Sequence, residues 1–190
     1  FFHNYINFMY KKILIFTATY NEKENIENLI LKIKANIPEC HILIIDDNSP
    51  DGTSIVIENL KKKVKDLYLI KRKEKSGLDS AHKIAYSYAL ENDFDFLITM
   101  DADFSHDPIV LPEFLNKLNK NPFVLGSRYI EGGKCLMTGR RLIMSRLGNL
   151  MIKTFSKVNS NEFTNSYRGF NLKNLKDFNL NDVKNKGYSF

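Results

Sequence analysis

Met100-Asp101-Ala102-Asp103-Phe104-Ser105-His106-Asp107-Pro108 is the stretch on which the reading of this chain turns. Residues 94–99, just before it, form a short and mostly apolar run, the pattern of a buried strand. Behind it, Asp107 and Pro108 stand as N-cap and first residue of a helix. Asp101 and Asp103 therefore fall where a strand runs out into a loop. In extended backbone, side chains two positions apart project to the same side. Two carboxylates held together are costly unless a cation lies between them. Hard oxygen donors of this kind suit Mg²⁺ or Mn²⁺, ions that keep positions open for substrate phosphates. A solvated acidic loop carries the same Asp-x-Asp pattern, so the rest of the chain has to decide.

Working outward, apolar runs alternate with helical periodicity. Ile13-Leu14-Ile15-Phe16 predicts a first strand, which breaks into Thr17-Ala18-Thr19-Tyr20-Asn21-Glu22. Ile26, Leu29, Ile30 and Ile33 then recur at helical spacing, with Asn21 and Glu24 in capping-box positions. His41-Ile42-Leu43-Ile44-Ile45 predicts a second strand, ending in the turn-rich Asp46-Asp47-Asn48-Ser49-Pro50-Asp51-Gly52. A helix follows through Val56, Ile57, Leu60 and Val64, then a strand at Leu67-Tyr68-Leu69-Ile70. A basic loop, Lys71-Arg72-Lys73-Glu74-Lys75-Ser76-Gly77, leads into a helix carrying Ala81, Ile84, Ala85 and Tyr88. Beyond the acidic loop come a helix marked by Leu111, Phe114, Leu115 and Leu118, and a strand at Phe123-Val124-Leu125 that closes on Gly126-Ser127-Arg128-Tyr129. Such alternation predicts an α/β fold, a mainly parallel sheet with helices on both faces. Ligands of these sheets bind outside the carboxyl ends of the strands. The polar clusters at residues 20–22, 46–51 and 101–103 all fall there, which chance solvated loops explain poorly.

The totals narrow the class. The 190 residues suffice for one domain, expected over residues 11–190, with 1–10 as an extension outside the fold. The closing Gly187-Tyr188-Ser189-Phe190 reads as the entry to an unfinished element, hence an expected C-terminal truncation. A net charge of +6, from 28 Lys and Arg against 22 Asp and Glu, suits an acidic ligand or an anionic membrane surface. No zinc-ligand or RNA-binding signature is present, so nucleic acid is not an expected partner. Cys40 and Cys135 form no metal or redox motif and read as reduced thiols. No run is long enough to span a membrane.

Five stretches, in order, carry a resemblance to a known family: Thr19-Tyr20-Asn21-Glu22, residues 45–53, residues 100–108, Gly126-Ser127-Arg128-Tyr129, and Thr164-Asn165-Ser166-Tyr167-Arg168-Gly169-Phe170. Together they resemble nucleotide-sugar glycosyltransferases of family 2 with the Rossmann-like GT-A fold. Within that family they are similar to polyprenol-phosphate sugar transferases, the dolichol-phosphate mannose synthases especially. The resemblance implies inverting transfer of a hexose, mannose from GDP-mannose first, to a polyprenyl or dolichyl phosphate at the cytoplasmic membrane face. It implies that Ala18, Tyr20, Glu22, Ile44 and Asp46 line the donor pocket, with Asp46 accepting bonds from the base. Asp101 and Asp103 would hold Mg²⁺ or Mn²⁺ against the diphosphate, with Ser105 as a further metal contact and Ala102 touching the nucleotide through its backbone. Asp103 and Arg128 would be the catalytic pair, Arg128 meeting phosphate. Departures are Ala18 where the family has Pro, Asp79 where relatives carry a small residue, and Glu162 where the family tends to Asp.

The acceptor in this reaction is a phosphate monoester, whose second ionisation lies near pH 6. As a dianion it needs cations to position it more than a general base, and His106 is expected to support or cap rather than to act as base. Residues 139–153 supply cations on an amphipathic pattern: Leu142, Ile143, Leu147, Leu150 and Met151 form an apolar stripe flanked by Arg140, Arg141, Arg146 and Lys153. Either this helix lies in a membrane interface with Arg140 and Arg141 on the acceptor phosphate, or it packs on its own domain with solvated arginines. Arg168 either faces that phosphate as well or pairs with an acid such as Glu162. Lys71, Arg72, Lys73 and Lys75 read as mostly solvated. Two alternatives stay open: another donor such as UDP-glucose, or an inactive nucleotide-sugar-binding fragment.

Overall fold

A computed structural model describes residues 11–129, 139–156, 160, 162–163, 165–175 and 178–183. The expected N-terminal extension, Cys135 and the closing segment lie outside the described residues. Six strands form one sheet: β1 (Ile13–Thr19), β2 (His41–Asp46), β3 (Leu67–Lys71), β4 (Phe96–Thr99), β5 (Phe123–Leu125) and β6 (Arg168–Asn171), in the order β3-β2-β1-β4-β6-β5. The first four pair in parallel, and β6 runs antiparallel between β4 and β5. The helices are α1 (Ile26–Asn36), α2 (Thr53–Lys61), α3 (Leu78–Glu91), α4 (Leu111–Lys120) and α5 (Gly139–Ser156).

Strand alternation sorts the core into two layers. Ile13, Ile15, Ile42, Ile44, Phe96 and Ile98 face one way and pack under α1, α2 and α4. Leu14, Phe16, Leu43, Ile45 and Leu97 face the other and pack under the small face of α3, Ala81, Ala85 and Ala89. Covering on both sides explains why these strands are nearly continuous apolar runs.

One local expectation is corrected. The capping box does not form: α1 starts at Ile26, and the Glu22 carbonyl accepts the Asn25 and Ile26 N–H groups, with Asn21 at φ 63° turning the chain. Asp107 does cap, its carboxylate accepting the Ile109 N–H at 3.0 Å, but it starts a single 3₁₀ turn over Pro108–Val110 that feeds α4. Strand β6 begins within the Thr164–Phe170 motif and ends at Asn171. Gly169 lets it fit, because a Cβ there would stand 2.5 Å from Phe114 Cε1 of α4.

Candidate active site

The parallel register places three loop starts on one edge. Thr19 at the end of β1 pairs with Asp46 at the end of β2, and Phe16 pairs with Thr99, so the chain leaves β4 beside the end of β1. Tyr20, Asp46, Asp101 and Asp103 thus leave from neighbouring strands at the carboxyl edge.

Tyr20 is exposed, with Lys75 Nζ 4.0 Å from its ring centroid. The Glu22 carboxylate accepts from Asn25 Nδ2 at 2.8 Å. Asp46 is wholly buried and takes four hydrogen bonds, from Thr19 Oγ1, Ser49 Oγ, the Ser49 N–H and Ser54 Oγ. Burial alone would push its carboxyl up; the bonds from Ser49, Ser54 and Thr19 together outweigh that and hold it below the usual range. Asp46 is the residue expected to accept bonds from the base; its oxygens here take the four bonds that order the loop. Ile44, also expected to line the donor pocket, has its side chain fully buried in the α1 layer of the core. Ala18 is half-buried against the α3 layer, and Ala102 is buried.

The basic loop is not all solvated. The Arg72 side chain is largely covered, ion-paired with Asp47 and bonded to Ser80 Oγ, and it donates to the Gly77 carbonyl at 2.9 Å. It ties the ends of β2 and β3 to the start of α3. The charge run Lys71 to Lys75 hid this, because nothing local separates one paired cation from its neighbours.

The acidic loop is a turn rather than extended chain, with Phe104 at φ 62°. Ala102 tucks inward between Asp101, half-buried, and Asp103, exposed. Asp103 Oδ1 accepts the Ser105 N–H at 2.9 Å. Burial acts to raise the Asp103 carboxyl, but the Ser105 hydrogen bonds and the nearby His106 bring it below the ordinary value. Asp101 Oδ1 accepts from Ser166 Oγ at 2.7 Å, and its N–H donates to His106 Nδ1 at 2.9 Å. His106 is buried, which drives it below its ordinary value against the pull of Asp101. Among the described residues no group of three or more His, Cys, Asp or Glu side chains forms a metal cage. Two carboxylates and the Ser105 hydroxyl are hard donors that fit an ion keeping its remaining positions for water and phosphate, as Mg²⁺ or Mn²⁺ does.

On the far side of β4, Arg128 forms a fork with Glu162, Nε to Oε2 at 2.9 Å and Nη2 to Oε1 at 3.0 Å. Glu162 is fully buried and reaches Asn149 Nδ2 of α5 at 3.4 Å. Glu162 thus pairs with Arg128. Arg168 is buried in β6, its Nε donating to the Asn165 carbonyl at 2.9 Å, and it presents little surface to an acceptor phosphate. Helix α5 is pinned through Ser145, 2.8 Å from the Tyr129 hydroxyl, and Asn149, which accepts the Phe163 N–H. Ile143, Met144, Leu147, Leu150, Met151 and Phe155 are exposed, as are Arg140 and Arg146. The Arg141 side chain lies outside the described residues. Among those residues no helix is long and apolar enough to cross a membrane.

Residues 14–178 match the profile of Glycosyl transferase family 2, which is most of the chain and all of the edge just described. The chain belongs to that family. Two relatives are each 32% identical to it: an undecaprenyl-phosphate mannosyltransferase of Micrococcus luteus, over 94% of this chain and 74% of the relative, and a polyprenol monophosphomannose synthase of Mycolicibacterium smegmatis, over 95% and 69%. Among solved structures, glucosyl-3-phosphoglycerate synthase from Mycobacterium tuberculosis, held with Mn²⁺, UDP and glucosyl-3-phosphoglycerate, superimposes with a TM-score of 0.65 at 14% identity. The match covers 90% of this family 2 chain and 61% of that one. S. aureus TarS 1-349 with UDP gives a TM-score of 0.58 at 17% identity, over 87% of this chain and 48% of that one. These likenesses establish the GT-A-like fold, and family membership makes the chain a glycosyltransferase.

Proposed function

We propose that this protein transfers mannose from GDP-mannose to a polyprenyl phosphate, with inversion, at the cytoplasmic face of a membrane. The observation that carries the reading is the meeting of Asp101 and Asp103 with the Tyr20 and Asp46 loops on one sheet edge, in a chain whose relatives are named for mannose transfer to polyprenol phosphates. Asp101, Asp103 and Ser105 would hold a divalent cation, which when bound supplies Lewis-acid stabilisation of the leaving diphosphate. The residues of the chain do the rest. Tyr20 offers an exposed ring face for the donor. Asp46, by ordering residues 46–54, shapes the wall beneath it. Arg128, steadied by Glu162, brings a cation to the side where phosphate charge develops.

His106 has no part as a base. Its Nδ1 lone pair already takes the Asp101 N–H. An acceptor phosphate that is already ionised needs none. The exposed apolar face of α5, with Arg140 and Arg146 beside it, fits a lipid surface carrying phosphate head groups. Among the described side chains of the arginines expected at substrates or membrane, Arg140 and Arg146 are exposed.

The test is labelled-sugar transfer from GDP-mannose, UDP-glucose and UDP-galactose to a polyprenyl phosphate, with and without Mn²⁺. The expected result is mannose transfer that needs the cation and is lost in Asp103→Ala, with only a small drop in thermal midpoint from the lost Ser105 bond, since Asp103 is exposed. Transfer from UDP-glucose instead would redirect the donor. Nucleotide binding without transfer from any donor would overturn the enzyme reading.

A further inference from the structure

Behind the acidic loop lies a closed polar network that the proposed chemistry does not use directly. A backbone N–H can only donate, so the 2.9 Å contact from Asp101 N makes His106 Nδ1 an acceptor and leaves the ring proton on Nε2. Nε2 faces Asn165 Oδ1 at 2.6 Å. The same Oδ1 accepts the Tyr167 N–H at 3.1 Å, while Asn165 Nδ2 donates to the Gly126 carbonyl at 2.8 Å. A donor on one side and an acceptor on the other leave the Asn165 amide one orientation, and with it the ring one tautomer. His106 also stacks on Tyr167, centroids 4.8 Å apart, and Tyr167 stacks on Phe114 at 4.6 Å. The next residue in the chain, Ser166, donates to Asp101 Oδ1 at 2.7 Å, and its carbonyl accepts Thr99 Oγ1 at 2.5 Å. Asp101 is therefore gripped twice from the segment that leads into β6, by its backbone through His106 and by its carboxylate through Ser166.

We propose that His106 and Asn165 are positioning residues for the cation site: with Ser166 they fix Asp101, whose Oδ2 lies 3.7 Å from His106 Nε2, and through the turn Asp103, in place for the metal. This rests on the reading of Asp101 and Asp103 as cation ligands. It gives the Asn165-Ser166-Tyr167 part of the motif a task at the donor's metal. It also explains why an imidazole is needed at 106. An acceptor on one edge, a donor on the opposite edge and a flat apolar face are required together, and His in its neutral form provides all three.

The experiment measures Mn²⁺ uptake by electron paramagnetic resonance with GDP and with UDP present, beside metal-free nucleotide binding and the thermal midpoint, for wild type, His106→Ala, His106→Asn and Ser166→Ala. His106→Ala is expected to weaken Mn²⁺ uptake by about 10- to 100-fold, the usual cost of losing a group that orients a ligand. Metal-free nucleotide binding should be unchanged. His106→Asn, whose amide oxygen can take the place of Nδ1, should recover part of the loss. Ser166→Ala should weaken uptake in the same direction at an unchanged thermal midpoint, and it carries the test if His106→Ala does not fold. Uptake equal to wild type in His106→Ala, or in Ser166→Ala where that variant must stand in, would overturn the positioning role. So would an Asn variant no better than Ala, with losses that follow the thermal midpoint. Wild-type protein that takes up no Mn²⁺ with either nucleotide would overturn the cation site itself, and the inference with it.

Discussion

Asp46 and Asp103 are both loop carboxylates at the end of a strand, yet their surroundings give them different work. Asp46 spends its oxygens on Thr19, Ser49 and Ser54 and has no exposed surface. Replacing it by Asn would turn an amide NH₂ either toward the Ser49 N–H, which can only donate, or toward hydroxyls that would have to reverse their bonds. Asp46→Asn is expected to cost about 1–3 kcal/mol, the penalty of buried polar groups left unpaired. Urea unfolding would read this as a lower midpoint at an unchanged slope. Asp103 is exposed, so its loss should fall on transfer rather than on stability. Both aspartates were legible in the sequence as members of turn-rich clusters. Which one is committed inward was not, because that depends on hydroxyls brought from β1 and from the start of α2.

Two elements carry most of what the fold adds at this scale. Helix α4 lies on β6 where Gly169 removes a side chain, and a methyl there would meet Phe114 and Leu118. Gly169→Ala is expected to destabilise by about 1–3 kcal/mol through overpacking, seen as a lower midpoint in chemical unfolding. Helix α5 has its pinned side at Ser145 and Asn149, four positions apart and so on one face, with Met144, Leu147, Leu150 and Met151 exposed. The apolar stripe and its arginines were legible from spacing. Whether the stripe packed inward was not, since spacing alone does not say which layer a helix joins. Met144→Glu with Leu147→Glu is expected to abolish flotation with anionic liposomes and to leave the thermal midpoint in place. Unchanged flotation would remove α5 from the membrane.

At the scale of the whole molecule, the buried imidazoles govern the response to acid. Burial next to the sheet drives His82 down to about 3, with the Arg168 charge adding to it. An unfolded chain binds a proton at this residue once the pH falls below about 6.5, while the folded chain does not. The unfolded state then holds more protons, so stability rises with pH across that window and is lost as the pH falls through it. Carboxyls held low, such as Asp46, extend the loss further into acid. Urea midpoints are therefore expected to fall steadily from pH 7 to pH 4, and His82→Gln should flatten the slope above pH 4 whatever it does to the plateau.

Local pattern in the chain was enough to place four parallel strands, the helices between them and the polar clusters at their carboxyl ends. Apolar period, turn residues and charge are properties of neighbours in sequence, and those neighbours remain neighbours in the fold. Tertiary structure alone decided that β6 enters antiparallel between β4 and β5, that Glu162 pairs with Arg128, that the Arg72 side chain is largely covered, and that Asn165 and Ser166 stand behind Asp101. Each of these joins groups from separate segments. A hydrogen bond or ion pair depends on distance and desolvation in space, and no spacing along one strand encodes either.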